Sequence, residues 1–99
     1  MAIKVLIKRK IKEGHLRDAS KLLIKARYGA MEQNGYISSE TLSSLDDPNK
    51  ILVISMWQKI EDWQGWKNSP VRQANEAEFE KLLNAPTEYE TFELGLPFG

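Results

Sequence analysis

The sequence predicts an α+β fold in which one antiparallel sheet carries its helices on a single face. Three observations predict it. Residues 2–11 alternate aliphatic with basic side chains, and the period changes to helical spacing from His15. Two strand-like runs flank Asp46-Asp47-Pro48-Asn49, which has the chemistry and length of a hairpin turn. Ser69-Pro70 then opens a further helix, and a Tyr-, Thr- and Phe-rich run follows it.

The first strand rests on Ile3, Val5 and Ile7 alternating with Lys4, Leu6 and Lys8, until Glu13-Gly14 breaks the pattern. Leu6 makes the second face partly apolar. Leu16, Ala19, Leu22, Leu23, Ala26 and Ala30 then repeat at helical spacing through about Glu32. Asn34-Gly35 is a good stop, since both residues tolerate the left-handed conformation that ends helices. Strands follow near 36–45 and 50–58. Ile51 to Ile54 is apolar on both faces, which places that strand centrally in the sheet. Residues 60–67 form a short helix bearing Trp63 and Trp66. Ser69 caps the last helix with Pro70 at its first position, and the helix runs to about Leu83 before Asn84-Ala85-Pro86 ends it. Thr87 to Leu94 is the last strand. The order is βαββαβ, the ferredoxin-like plan. Helices cover only one side of such a sheet, so a second copy is expected on the other: a homodimer, with a cavity between helices and sheet.

Ninety-nine residues, 41% apolar, make one domain spanning 1–99. A chain of this size buries roughly 60–70% of its unfolded surface, which dimerisation would increase. Acidic and basic residues number 14 each, so no bulk field favours nucleic acid or anionic lipid. The bases are uneven: Lys4, Lys8, Arg9, Lys10 and Lys12 cluster at the start, and acids gather from Glu76 onward. RNA-binding sheets of this plan need aromatics on their central strands, and the first strand has none. No nucleic-acid partner is expected. No cysteine is present, which excludes disulfides, thiolate metal sites and cysteine catalysis and fits a reducing compartment. The lysine-broken N-terminus is no signal peptide, and no stretch approaches the ~20 apolar residues of a membrane span. The expectation is a cytoplasmic domain with no membrane partner. A single histidine, His15, builds no metal site without carboxylates spaced around it.

On the last helix, Val71, Asn75, Phe79 and Leu82 fall along one stripe. A buried amide without a partner is costly, so Asn75 faces either a backbone group or a polar cavity, where it would hydrogen-bond a phenol or quinone oxygen. Arg72 and Glu76 flank the stripe. They are exposed surface residues, or else a base (Glu76) and a stabiliser of phenolate or peroxide (Arg72). Trp63 and Trp66 either lock the short helix onto the sheet or form a flat wall for a planar ring. Tyr36 and Phe79 join them as candidate ligand contacts. Tyr28, Tyr89 and Phe92 are expected at sheet or interface positions.

Gly35-Tyr36, Asp46-Asp47-Pro48, Trp57, Trp66 and Ser69, at this spacing, resemble the antibiotic biosynthesis monooxygenase (ABM) domain, and the order of elements agrees from Ile3 to Leu94. The resemblance implies a dimeric α+β barrel. It also implies a choice of functions: cofactor-independent oxygenases of polycyclic phenols or quinols, haem-degrading enzymes, signal-processing enzymes, and proteins without known activity. Trp66 falls where the family usually has His or Trp lining the pocket. The haem-degrading branch uses Asn, Trp and His, and here those positions hold Ile7, Trp66 and Glu76. With only the tryptophan kept, haem breakdown of that kind is not expected. The Glu that often precedes the family tryptophan of the third strand is Ser55. The functional expectation is a cofactor-independent monooxygenase with no metal, acting on an aromatic or quinol-type molecule. The alternative is a non-catalytic homodimer that binds a small hydrophobic ligand or haem.

Overall fold

A computed structural model describes residues 1–97 of the chain. Its elements are β1 (Ile3–Lys10), α1 (Leu16–Met31), β2 (Tyr36–Ser43), β3 (Lys50–Trp57), α2 (Ile60–Lys67), α3 (Pro70–Glu80) and β4 (Glu88–Glu93). The strands make one antiparallel sheet in the order β2-β3-β1-β4. That is the predicted ferredoxin-like arrangement, with β3 inside the sheet as its apolar run implies.

Alternation along β1 decides what faces the helices. Ile3, Val5, Ile7, Arg9 and the following Ile11 are all buried, while Lys4, Leu6, Lys8 and Lys10 point to the other face. Two apolar clusters result. Ile3, Val5, Ile7, Ala30, Trp57, Trp63 and Trp66 pack at one end, and Ile11, Ala19, Ile51 and Phe79 at the other. Arg9 lies between them on the strand, so a charged layer divides the core in two.

Pairing of β2 with β3 slips between Tyr36 and Ser38, leaving Ile37 without a partner in β3. This bulge sets the faces of β2. Tyr36 sits opposite Trp57, and beyond the bulge Ser39 opposes Ser55 and Thr41 opposes Val53 on that same helix-covered face.

Element ends depart from the sequence expectation where side chains or tertiary bonds intervene. Strand β2 stops at Ser43 instead of residue 45, because Ser44 Oγ accepts from the amides of Asp46 and Asp47 and starts the turn early. Helix α3 begins as expected, with Ser69 Oγ accepting from the Arg72 amide and Pro70 at the first position. It ends at Glu80, short of Leu83. The chain there is diverted into a bridge between Leu83 and Ile11, and Asn84 N bonds Lys10 O at 2.9 Å. The expected apolar stripe on α3 is also corrected. Val71 is 62% exposed, and the buried stripe is Arg72, Asn75, Glu76 and Phe79, a mostly polar one. Among the described residues, no helix is long and apolar enough to cross a membrane, and no group of three or more His, Cys, Asp or Glu is placed to hold a metal.

Candidate functional site

Helix α2 delivers two indoles to the inner face of the sheet. Trp63 and Trp66, three apart, are both buried. Trp63 lies 6.1 Å from Trp57 and 6.1 Å from Tyr89, and Tyr36 meets Trp57 edge-on at 5.6 Å. A continuous aromatic band therefore crosses the sheet from β2 to β4. Trp66 reaches to α1, where a Cβ on Gly29 would lie 2.5 Å from its Cη2. Only glycine admits the ring there. The Trp57 Nε1–H donates to Ser55 Oγ at 3.1 Å, so this serine serves the indole itself.

Beneath the indoles lies the charged layer. Arg9 Nη2 donates to Glu76 Oε1 at 2.5 Å, and Arg72 Nη2 stands 3.3 Å from the same oxygen. Arg72 Nη2 also donates to the Tyr89 hydroxyl at 3.0 Å. The Arg9 guanidinium lies 4.1 Å from the Phe79 ring centre, and that of Arg72 lies 5.1 Å from the Trp63 ring. Burial pulls Arg9 below its usual basicity and Glu76 opposes the change, but a guanidinium starts so high that it stays charged.

Between these layers is a cavity of about 50 Å³. Trp57, Trp63 and Trp66 line it, Ser39, Thr41 and Ser55 contribute hydroxyls, and Arg9, Arg72 and Glu76 supply charge. At its mouth the exposed Arg27 donates to Thr41 Oγ1 at 3.0 Å. Arg72 and Glu76 also line a wider groove of about 840 Å³, between α3 and the approach to β4, with Lys67 and Tyr89. The two residues are thus shared by the inner cavity and the outer groove.

The structure brings together Trp63, Trp66, Arg72 and Glu76 of the residues singled out from sequence. Exposure of Arg72 and Glu76, one of the two alternatives, is corrected: Arg72 is 4% exposed and the Glu76 side chain 17%, because each neutralises part of the other's charge. Tyr36 stands a layer behind, its hydroxyl 2.8 Å from Ser39 Oγ, and Phe79 lies under Arg9. Asn75 turns to α1, where its Nδ2 donates to Leu22 O at 3.2 Å and its Oδ1 has no partner among the described residues. It is absent from the cavity wall. Sequence reading passed over Arg9, Ser55 and Tyr89 as site residues. Arg9 was findable: it occupies the buried phase of an alternation that runs Ile3, Val5, Ile7, Arg9, Ile11.

The chain belongs to the antibiotic biosynthesis monooxygenase family, whose sequence profile matches residues 2–78. No match was found among curated proteins. Solved structures share the fold. A conserved protein from Methanosarcina mazei superposes with a TM-score of 0.88 at 16% identity, over 94% of this chain and 92% of that one. Rv0793 from Mycobacterium tuberculosis gives 0.85 at 14%, over 94% of each chain. SnoaB from Streptomyces nogalater, described as a cofactor-independent oxygenase, gives 0.83 at 14%, over 97% of each. At such identities the likeness is one of fold.

Proposed function

We propose that this member of the antibiotic biosynthesis monooxygenase family oxidises a small aromatic or quinol-type molecule with dioxygen, using no bound cofactor, and that residues 1–99 work as one domain within a homodimer. The observation that carries the reading is the small cavity walled by Trp57, Trp63 and Trp66 and floored by two buried guanidiniums. In such a reaction a phenol loses a proton, and its anion passes one electron to dioxygen. The resulting superoxide and substrate radical join as a carbon-bound peroxide, and loss of water leaves a carbonyl. Written for an anthrone, CH₂ plus O₂ gives C=O plus H₂O. The protein's part is to stabilise the anion with Arg9 and Arg72 and to exclude water. The inner cavity is too small for a polycycle, so the body of the substrate lies in the α3–β4 groove, whose volume suits a drug-sized molecule.

Support for the homodimer comes from the far face of the sheet, where Leu42 is 44% and Phe92 50% exposed beside half-buried Leu6, Leu52, Ile54 and Met56. A second copy of that surface covers it.

Oxygen uptake with anthrone and with dihydroxynaphthalenes tests the proposal. One dioxygen consumed per quinone formed, with a slower rate for Trp66→Ala and Arg72→Met, is expected. Uptake no faster than in protein-free buffer would sink it. A second reading, a non-catalytic binder of a small hydrophobic ligand or haem, is favoured by one contact: both guanidiniums converge on Glu76 Oε1, so the carboxylate is occupied as a partner instead of standing free as a base. Quenching of tryptophan fluorescence by such ligands, without oxygen uptake, would identify that outcome.

A further inference from the structure

Charge around the inner cavity does not balance. Arg9 and Arg72 are each 4% exposed, and among the described residues Glu76 is the single carboxylate lining the space with them. One buried positive charge is left over, and Arg27 at the mouth adds another cation. Internal hydrogen bonds do not use up the surplus. Arg9 Nε, fully removed from solvent, meets no acceptor among the described residues. A charged donor in that state is relieved most strongly by an anion, because charge-assisted hydrogen bonds are about twice as strong as neutral ones. Ser55 adds a second donor: its Oγ accepts from Trp57 Nε1, which leaves its own proton free to give. A space of about 50 Å³ admits a carboxylate-sized group and no aromatic ring. The groove that could hold a ring shares Arg72 and Glu76 with it.

We infer that the inner cavity is an anion subsite: it takes a carboxylate oxygen on Arg9 Nε, while the uncharged body of the same molecule lies in the α3–β4 groove beside Tyr89. The inference rests on the small-molecule site proposed above and narrows its ligand to one that is an acid at neutral pH. A free small anion offers the same chemistry, so the experiment separates the two sources.

Benzoate, its neutral counterpart benzamide, and formate are titrated into the full chain and followed by tryptophan fluorescence. Benzoate is expected to bind at least about tenfold more tightly than benzamide, the scale of one hydrogen bond to a charged group. Arg9→Lys keeps a cation for Glu76 and removes the Nε donor; the preference then falls below about threefold. Circular dichroism and the melting temperature establish that the variant is folded. Should it not fold, the paired change Arg9→Met with Glu76→Gln removes one cation and its anion together, and the same loss of preference is expected. Formate that binds alone, with no benzoate binding, supports the subsite with a free ion as occupant. Equal affinities for benzoate and benzamide, no binding of any probe, or full preference in a folded Arg9 variant overturns it. Acid preference without oxygen uptake leaves the subsite standing and removes the oxygenase reading; uptake of neutral quinols without acid preference does the reverse.

Discussion

The two faces of the sheet mix charge with apolar surface in different ways. On the face covered by helices sit Arg9, Arg72 and Glu76, while the face without helices carries Leu6, Leu42, Leu52, Ile54, Met56 and Phe92. Register shows how continuous that outer surface is. Leu6 opposes Ile54, and Leu52 opposes both Leu42 and the stem of Lys8. Lys4, Lys8, Lys10, Glu40, Lys50, Glu88 and Glu90 lie among these residues, Lys8 and Glu90 as an ion pair across β1 and β4. Each face is incomplete in its own way. Apolar strand surface wants more protein, and unbalanced buried charge wants an ion.

The largest effect should come from breaking the inner face. Glu76→Ala leaves two guanidiniums buried without their carboxylate, which costs about 3–5 kcal/mol. Urea unfolding should show the midpoint falling with the slope unchanged. A loss under about 1 kcal/mol would mean that the charged layer relaxes to water, and the contrast between the faces would fail.

Next comes the outer face. Ile54→Lys puts an ammonium at its centre and should weaken self-association roughly a hundredfold, the scale of a central interface contact. Sedimentation across a concentration series reads this. An unchanged wild-type and variant mass would show that the outer surface stays bare in solution.

Gly29→Ala sharpens the inner side by forcing Trp66 away from α1, at about 1–3 kcal/mol. Its tryptophan emission should shift along with the melting temperature. The smallest effect belongs to Lys8. The hydrogen bond that Lys8 donates to Glu90, and then the charge of Glu90, raise the Lys8 pKa above 10.5. A raised folded-state value means that the stabilisation is present below 10.5 and is lost as pH climbs past the folded value. Lys8→Met should therefore differ slightly from wild type near neutrality, and not at all in about 1 M salt or strong alkali.

Much of the fold was legible because local chemistry agreed with it. Ser69-Pro70 could begin only a helix, and Asp47-Pro48-Asn49 made the turn, with Asp47 Oδ1 accepting from the Asn49 amide at 3.0 Å. The site was less legible for a definite reason. Hydrophobic periodicity locates buried faces by their apolar residues, but the buried face of α3 is Arg72, Asn75 and Glu76 above Phe79. Its polarity is stabilised by a strand sixty residues away in sequence, which no local window reveals. Asn75 was correctly placed on the buried side, yet its partner, Leu22 O, lies on α1 and not in the cavity. Arg9 shows the opposite case. The two-residue period already put it inside, and only its grouping with neighbouring lysines hid it.

The slip at Ile37 makes β2 one residue longer than its ladder requires. Shortening the chain by that residue would leave a regular strand, with Ser39 and Thr41 still toward the helices and Glu40 and Leu42 still away from them. Removal of any residue between Ser39 and Thr41 would turn the remainder of the strand inside out unless the slack at Ile37 were taken up as compensation. The kink is thus a spare link, a place where natural length variation can be tolerated without exchanging the hydroxyl-bearing wall of the cavity for a greasy one.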